Sequence, residues 1–498
     1  MSWVDEYVRN VFNVRDSDVY VVASGLTTSG PAHMGTVMEL LIPYSISKTI
    51  RRHGRKSYFI FIADTLDSLD SIPAQLTQFK ELRDYLGRPL SMVIDPYGCH
   101  ENYAHHFLDE VLTLMKKFSI ECDEVLTADK LYSEGWYDDY ARLFFSRLDE
   151  VRNILETTSF RKLPPNWMGV VKPICSRCGR NDATTVKSFN NDLIEYECSA
   201  CGFNGTTAIS DHKWKLLWRL DWPSRQDFLG VDIEGGGVDH FTKGGSWDTA
   251  KEIHKRLFNK EPPIPFKFGF VLIEGRKMSK SKGLGSLTEI LKYIHPSVIK
   301  YFLLKHDLEE NRNLRLDPKF LLALYEEYRL VGEGKYQDVK QLRAWELSGG
   351  MRWSISFSEL LVYYQIYRDW DVITKLIKDE FLVNELKTYV ENWVNNGLVP
   401  EDYEVRLKPS KPSSDMKKVI LMFKDSIDES MSDVDIHNKV YEVARNNGVE
   451  PSELFKAIYM MLFSKPKGPR LGKFIKVLGV GRFKALVDEI LKDVAEGN

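Results

Sequence analysis

The first third of the chain alternates unbroken apolar runs with segments of helical period. Val19-Tyr20-Val21-Val22-Ala23 has strand length and character, and so does Ser57-Tyr58-Phe59-Ile60-Phe61-Ile62. Between them Thr36 to His53 reads as a helix ended by Gly54. Strand, Gly25–Gly30 loop, helix and parallel strand make a right-handed βαβ unit, whose loop and helix start lie at the carboxyl edge where ligands bind. Leu90 to Ile94 predicts a third strand, Glu101 to Phe118 a helix, Val125 to Thr127 a short strand, and Trp136 to Thr157 a long amphipathic helix. Trp214 to Phe228 is dense in aromatic and basic residues, interrupted by Asp221-Trp222-Pro223. Ser286 and Glu289 form a capping-box pattern that starts a helix at Leu287, and Pro296 breaks it before a second helix to about His306. From about Phe320 helical patterns dominate, with a passage into a separate helical domain around Arg343 to Trp353 and a Pro/Ser linker at Lys408 to Ser414.

Composition narrows the class. A chain of 498 residues suggests about three domains. Hydrophobic and charged fractions of 43% and 28% are ordinary, and a net charge of -3 gives no global attraction to nucleic acid, so any RNA surface is local. The start Met1-Ser2-Trp3-Val4-Asp5-Glu6 lacks a basic segment followed by an apolar run, and no stretch reaches the roughly 18 apolar residues of a membrane span. A cytoplasmic protein is expected. Six cysteines are too few for a disulfide scaffold in so long a chain. Four of them form two chelating pairs, Cys175-Ser176-Arg177-Cys178 and Cys198-Ser199-Ala200-Cys201, with nineteen residues between and a glycine after each second cysteine. This spacing fits one closed tetrahedral thiolate zinc site, which serves folding because it leaves no position open for water. Cys99 and His100 are able to bind metal, with a structural role as the favoured reading.

The segment Glu274-Gly275-Arg276-Lys277-Met278-Ser279-Lys280-Ser281-Lys282-Gly283-Leu284-Gly285 sets four cations and two hydroxyls between glycines. Glycine lets backbone approach an anion, and lysine ammoniums meet the charge that develops as pyrophosphate departs. Upstream, Pro31-Ala32-His33-Met34-Gly35-Thr36 stands where free helix N–H groups favour phosphate. Gly235-Gly236-Gly237-Val238-Asp239-His240 has the form of a close turn with an acidic hook for ribose hydroxyls. Lys465, Lys467, Arg470, Lys473, Lys476, Arg482 and Lys484 follow without an intervening acid, as a face that tracks RNA phosphates or a solvated one.

Lys277 to Ser281 and Pro31 to Thr36 resemble the two signatures of class I aminoacyl-tRNA synthetases. With Ser24-Gly25-Leu26-Thr27, Asp95-Pro96-Tyr97-Gly98-Cys99-His100-Glu101, Tyr103-Ala104, Arg219-Leu220-Asp221-Trp222-Pro223, Asp239-His240 and Gly245-Ser246-Trp247-Asp248-Thr249, the chain resembles the class I lysyl-tRNA synthetases over most of its first 330 residues. Beyond them the likeness is scattered, chiefly Gly468-Pro469-Arg470.

The resemblance implies an α/β Rossmann catalytic core at 1–95 and 216–275, with an inserted zinc-bearing acceptor-stem domain at 96–215. It also implies a lysine loop and junction at 276–342 and an all-α anticodon-binding domain at 343–498. By position, His33, Gly35, Thr36, Lys277, Lys280 and Lys282 would handle ATP, and Gly237 and Asp239 its ribose. Gly25, Thr27, Trp222 and His240 would form the lysine pocket. The implied partners are L-lysine and tRNA(Lys), with Mg2+ and Zn2+, no membrane, and a monomer. Lys280 and Lys282 compete for the second lysine role. Thr36 stands where the family usually has asparagine, and Asp64-Thr65-Leu66-Asp67-Ser68-Leu69-Asp70 keeps two family aspartates without the basic residues near them. Two other readings stay open: a class I synthetase for another amino acid such as glutamate, which needs an arginine in the pocket, and a non-catalytic tRNA-binding paralogue.

Overall fold

The computed structural model describes residues 1–277, 286–405 and 407–492, with Arg276 and Lys277 described by backbone alone. The chain divides into two compact units: Met1–Thr288 with Ile299–Arg315 and Asp338–Gly349, and Glu289–Val298 with Leu316–Gln337 and Gly350–Asn498.

In the first unit the elements begin with α1 (Trp3–Val14), β1 (Val19–Leu26), α2 (Met34–Arg52) and β2 (Lys56–Ala63). α3 (Tyr103–Lys117), β3 (Glu124–Thr127), α4 (Ala128–Ser133), α5 (Asp138–Ser146) and α6 (Leu148–Ser159) follow. β1 and β2 are parallel, Val22 opposite Phe59 and Ala23 opposite Ile60. Apolar residues on both faces of these strands are buried, as a sheet covered by helices on both sides requires. α2 is buried around most of its circumference, so its apolar residues do not form a single stripe.

Two sequence expectations fail here. Leu90 to Ile94 is not a strand but a single 3-10 turn over Leu90–Met92. Its amides are taken locally, Leu90 N–H by Asp67 O at 2.9 Å and Ser91 N–H by Thr65 O at 2.9 Å, while the sheet edge beside β1 is filled from far downstream. The long helix from Trp136 is two helices, because Arg147 leaves helical geometry (φ -116°, ψ 36°) between α5 and α6.

The inserted strands are β4 (Val171–Pro173), β5 (Thr184–Asn190), β6 (Leu193–Cys198), β7 (Phe203–Ala208) and β8 (Trp214–Leu216). β5, β6 and β7 form an antiparallel sheet, and β4 pairs with β8. α7 (Trp218–Phe228) then runs without interruption through Asp221-Trp222-Pro223, and β9 (Ile233–Glu234) completes the parallel sheet in the order β3-β2-β1-β9. β10 (Gly236–Gly237), α8 (Ser246–Ile253), β11 (Lys267–Phe268), β12 (Val271–Ile273), β13 (Arg276–Lys277) and β14 (Arg312–Leu314) end the strand-bearing part.

An ion network lies beneath the carboxyl edge of the parallel sheet. Arg225 of α7 donates to both oxygens of Asp64, which follows β2, at 3.2 Å each, and to Glu234 of β9 at 3.4 Å. All three are almost wholly buried. Gln226 donates to the other Glu234 oxygen at 2.8 Å. Lys215 of β8 pairs with Asp67 at 2.7 Å and Asp221 at 3.4 Å, and Asp221 also accepts from Tyr132 and Tyr137. The cations missing near the Asp64–Asp70 segment are therefore supplied from 161 and 148 positions away.

The second unit is helical throughout its described residues. Its helices include Pro318–Gly332, Phe357–Tyr367, Glu380–Asn395, Asp433–Asn446, Pro451–Phe463 and Val480–Leu491. Asp317, Ser356 and Ser432 cap three of them, with Glu359 and Asp435 closing capping boxes.

Removing one partner from a buried pair leaves an uncompensated charge, at about 3–5 kcal/mol. Arg225→Met is expected to lose stability on that scale in a urea titration. Arg52→Ala, which breaks an exposed pair with Glu346, is expected to lose no more than about 1 kcal/mol.

Candidate active site

A cavity of about 520 Å³ opens at the carboxyl edge of β1. Gly25, Thr27, His33, Gly35, Thr36, Gly237, Asp239 and His240 all line it. Eight positions drawn from three separated stretches thus meet at one place.

His33 is the N-cap of α2, with extended backbone (φ -135°, ψ 178°). Its Nδ1 accepts the Thr36 N–H at 3.3 Å, and the Thr36 hydroxyl accepts the His33 N–H at 3.2 Å. Because Nδ1 is an acceptor, the proton of the neutral ring is carried by Nε2. Thr36 therefore has a defined part in the cap, which orients His33 and keeps α2's amino end pointed at the cavity. The ring of His33 lies over Gly35, where a Cβ would stand 2.8 Å from Cε1. Any larger residue there would push the ring from this position.

Gly25 is equally constrained from below, since a Cβ would stand 2.6 Å from Arg225 Nη2. Thr27 donates to Asp67 at 2.6 Å, joining the cavity wall to the Lys215 pair. Burial raises the Asp67 carboxyl, but Lys215 and Thr27 outweigh it and hold the group below the ordinary carboxylate range. Burial lowers His240, so its imidazole is neutral near pH 7.

Trp222 does not line the cavity. It stacks at 5.6 Å on Trp218, which does, and lies 5.7 Å from His240 and 5.9 Å from Trp247. The two tryptophans stand four positions apart on α7, so both occupy one helix face, and the earlier one is at the opening. Glu39, Asp64 and Asp67 also line the cavity; the aspartates lie in the segment the sequence marked for its missing basic neighbours, and nothing in the local pattern announced Glu39.

Phe268, Gly269, Phe270 and Val271 form a further wall and lead into β12. β12 pairs with β13 across Glu274-Gly275, both at positive φ (50° and 73°), and with β14 on its other side. A two-residue turn of that conformation closes a tight hairpin and sends the chain into the lysine loop from a fixed strand. Lys277 ends that strand, opposite Leu272. Lys280 and Lys282 lie outside the described residues.

The four cysteines assemble. Cys175 and Cys201 sulfurs are 3.7 Å apart and those of Cys178 and Cys198 3.6 Å. A tetrahedral ion with metal–sulfur bonds of about 2.3 Å sets ligands about 3.8 Å apart, whereas a disulfide needs about 2.05 Å. Gly179 and Gly202, at φ 77° and 67°, return N–H groups to Cys175 O and Cys198 O at 2.8 Å, giving both knuckles one geometry. Asn181 accepts from Ser68 at 2.8 Å, so the cysteine module braces the loop that carries Asp64 and Asp67.

A second cluster contains Cys99 and His100, the pair whose sequence offered metal binding beside a structural role. Ligand atoms of Asp95, Cys99, His100 and His106 all lie within 4.8 Å of one another. Asp95 accepts from the amides of Tyr97, Cys99 and His100 at 3.0, 2.8 and 2.7 Å, and Tyr97 stacks on His106 at 4.7 Å. Carboxylate, thiol and two imidazoles are a donor set for a zinc-like ion. The signal was present as Asp-x3-Cys-His-x5-His, but its last member lies one turn into α3 and is found only once that helix is placed.

Residues 1–350 match the family model described as tRNA synthetases class I (K). The chain belongs to this family. Over nearly its whole length the synthetase is also similar to lysine–tRNA ligases. That of Archaeoglobus fulgidus is 30% identical over 499 residues, covering 96% of this chain and 98% of the relative. That of Pyrococcus horikoshii is 31% identical over 520 residues, covering 96% and 97%. A bacterial relative, from Borrelia garinii subsp. bavariensis, is 29% identical and covers 98% and 99%. Among the described residues of the synthetase no helix is long and apolar enough to cross a membrane.

The two glycines at the cavity make opposite predictions for alanine. Gly25→Ala drives a methyl into Arg225 and is expected to lose about 1–3 kcal/mol in urea unfolding. Gly237→Ala, whose Cβ meets nothing closer than Phe268 at 3.9 Å, is expected to change stability by less than about 0.5 kcal/mol.

Proposed function

We infer that this protein activates L-lysine with ATP to lysyl-adenylate and transfers the lysyl group to tRNA(Lys). The observation that carries the reading is the meeting of the His33–Gly35 helix start, the Gly237–Asp239 turn and an acid-lined pocket in one cavity. In a family whose members include lysine–tRNA ligases, that is a nucleotide subsite joined to a subsite for a cationic side chain.

The chain's contribution is positioning and charge stabilisation. The amino end of α2 and His33 Nε2 meet phosphate oxygens, and Gly35 leaves room for them. Gly237 and Asp239 receive the ribose. Lys277 and either Lys280 or Lys282 bring positive charge to the departing pyrophosphate, carried on the arm that leaves β13. Magnesium supplies further charge neutralisation on the phosphates when bound. Gly25, Thr27 and His240 shape the lysine subsite with Trp218, and Trp222 supports it from behind. The lysine carboxylate attacks the α-phosphorus and pyrophosphate leaves in line, after which the terminal ribose of tRNA takes the lysyl group without a covalent enzyme intermediate.

A glutamate-activating enzyme would need a cation available to the substrate carboxylate. The cavity wall carries Glu39, Asp64, Asp67 and Asp239, with no lysine or arginine among its described residues. Arg225 lies close by, but Asp64 and Glu234 engage it and Gly25 covers it. The balance favours a cationic amino acid.

The helical unit is read as the tRNA-binding part. Its basic run is partly neutralised, Lys465 by Glu404 and Lys473 by Glu359, which leaves Lys467, Arg470, Lys476 and Arg482 as exposed members for phosphate contact.

Charging with each of the twenty amino acids, with tRNA, ATP and magnesium present from the start, tests the reading. Lysyl-tRNA is the expected product, and charging with another amino acid or none would overturn it. Zinc is proposed at the four cysteines and at Asp95, Cys99, His100 and His106. Metal analysis should find about two zinc ions per chain, with Cys198→Ser and His106→Ala each removing one. A content of one in the parent protein that falls to none in Cys198→Ser would confine zinc to the cysteine site.

A further inference from the structure

One face of α3 holds both the second metal cluster and the loop that precedes His33. Tyr103, His106 and Glu110 stand three and then four positions apart on this helix, so they line one side of it over about 10 Å. At its amino end the Tyr103 hydroxyl donates to Ser29 O at 3.0 Å. Two turns further on, the Glu110 carboxyl faces the Ala32 amide, which favours its charged form. The loop is therefore held on both sides of Gly30-Pro31. The residue after Ala32 is His33, the N-cap of the helix whose amino end meets the cavity.

His106 lies between these two contacts. Its Nδ1 turns to the cluster, 3.1 Å from Asp95 Oδ1 and 3.4 Å from Cys99 Sγ, and its Nε2 turns to Glu110 Oε1 at 3.7 Å. With Nδ1 on a metal, the ring proton stands on Nε2 and that N–H is a stronger donor. A carboxylate behind a ligating histidine in turn orients the ring and raises metal affinity. At 3.7 Å the pair stands just outside hydrogen-bond range, with room to close when the ring is charged from its other side. The ring is buried, whereas 41% of the Glu110 side chain is exposed, so the carboxylate is the member that can adjust. Its two oxygens are enough to serve the ring N–H and the loop amide together.

We propose that Glu110 is a positioning residue that couples the Asp95, Cys99, His100 and His106 site to the nucleotide loop, so that zinc at the cluster and ATP in the cavity strengthen each other's binding. The inference rests on the zinc reading of that cluster and on the nucleotide reading of His33. A filled cluster fixes Glu110, Glu110 fixes Ala32, and the helix start meets the phosphates in one arrangement without first having to be ordered. By linkage the gain is mutual.

The test measures the dissociation constant of MgATP by equilibrium dialysis on the full-length parent protein and on variants. Glu110→Ala removes the coupler, and Cys99→Ala with His100→Ala leaves the cluster two ligands and empties it. Emptying the cluster is expected to weaken MgATP about tenfold, an ordinary size for such coupling, and Glu110→Ala to weaken it by a similar factor. The triple variant is expected to lose no more than either, because the cluster acts through Glu110. In competition with a chelator, Glu110→Ala should hold the cluster zinc roughly tenfold to a hundredfold more weakly and keep the cysteine zinc. Losses that multiply in the triple variant, as independent structural effects would, overturn the coupling, and so does MgATP binding that Glu110→Ala leaves unchanged. A parent protein whose zinc is confined to the four cysteines would instead overturn the zinc reading of the cluster, and one that binds no MgATP the nucleotide reading.

Discussion

The site depends on buried charges, two of which, Asp64 and Asp67, also reach the cavity wall. Arg225 holds the residue after β2 through Nη1, shared between both Asp64 oxygens, and the last residue of β9 through Nη2, and Gly25 of β1 lies directly on its guanidinium. Three strands are thereby tied to α7 at the edge where the cavity opens. Taking such ions out of water is expensive, and their attraction offsets the cost only when geometry and extra hydrogen bonds are good. Gln226, Thr27, Tyr132 and Tyr137 supply those bonds. The network is thus better understood as a device that fixes the cavity floor than as a source of net stability.

From that floor the walls are set by short-range devices. His33 and Thr36 cap each other, so the ring at the cavity wall is oriented by the same bonds that begin α2. The Glu274-Gly275 turn fixes where the lysine arm departs. The cysteine module reaches the floor through Asn181 and Ser68, and α3, which carries His106, reaches the substrate loop through the Tyr103 hydroxyl on Ser29 O at 3.0 Å. A metal at either cluster would stiffen a support of the cavity without entering it.

Charge also separates this site from one for an acidic amino acid. The described cavity wall is acidic, and the nearby cations face away into ion pairs. A glutamate side chain would meet carboxylates there, while a lysine side chain relieves them. The Asp64–Asp70 segment, which lacks basic neighbours in sequence, is the place where this balance is built.

What the sequence determined alone is local. Val19–Ala23 and Ser57–Ile62 are strands because their apolar runs suit nothing but a sheet covered on both sides, and the two Cys-x-x-Cys knuckles close because each turn is completed by a glycine at positive φ. The place of His33 and Gly35 at the cavity was legible because a helix that starts after a strand of a parallel sheet begins at the carboxyl edge where the cavity opens. The tertiary structure decided what required partners far apart. It turned Leu90–Ile94 from a strand into a turn, since β9 fills the sheet position next to β1, and it moved Trp218 in front of Trp222. It gathered Asp95, Cys99, His100 and His106, and it gave Asp64 and Asp67 cations while giving Glu39 none among the described residues. The physical reason is common to all of these: the free energy of a buried charge or a pairing strand is set by what lies across the fold from it, and a chain read in order carries no record of that distance.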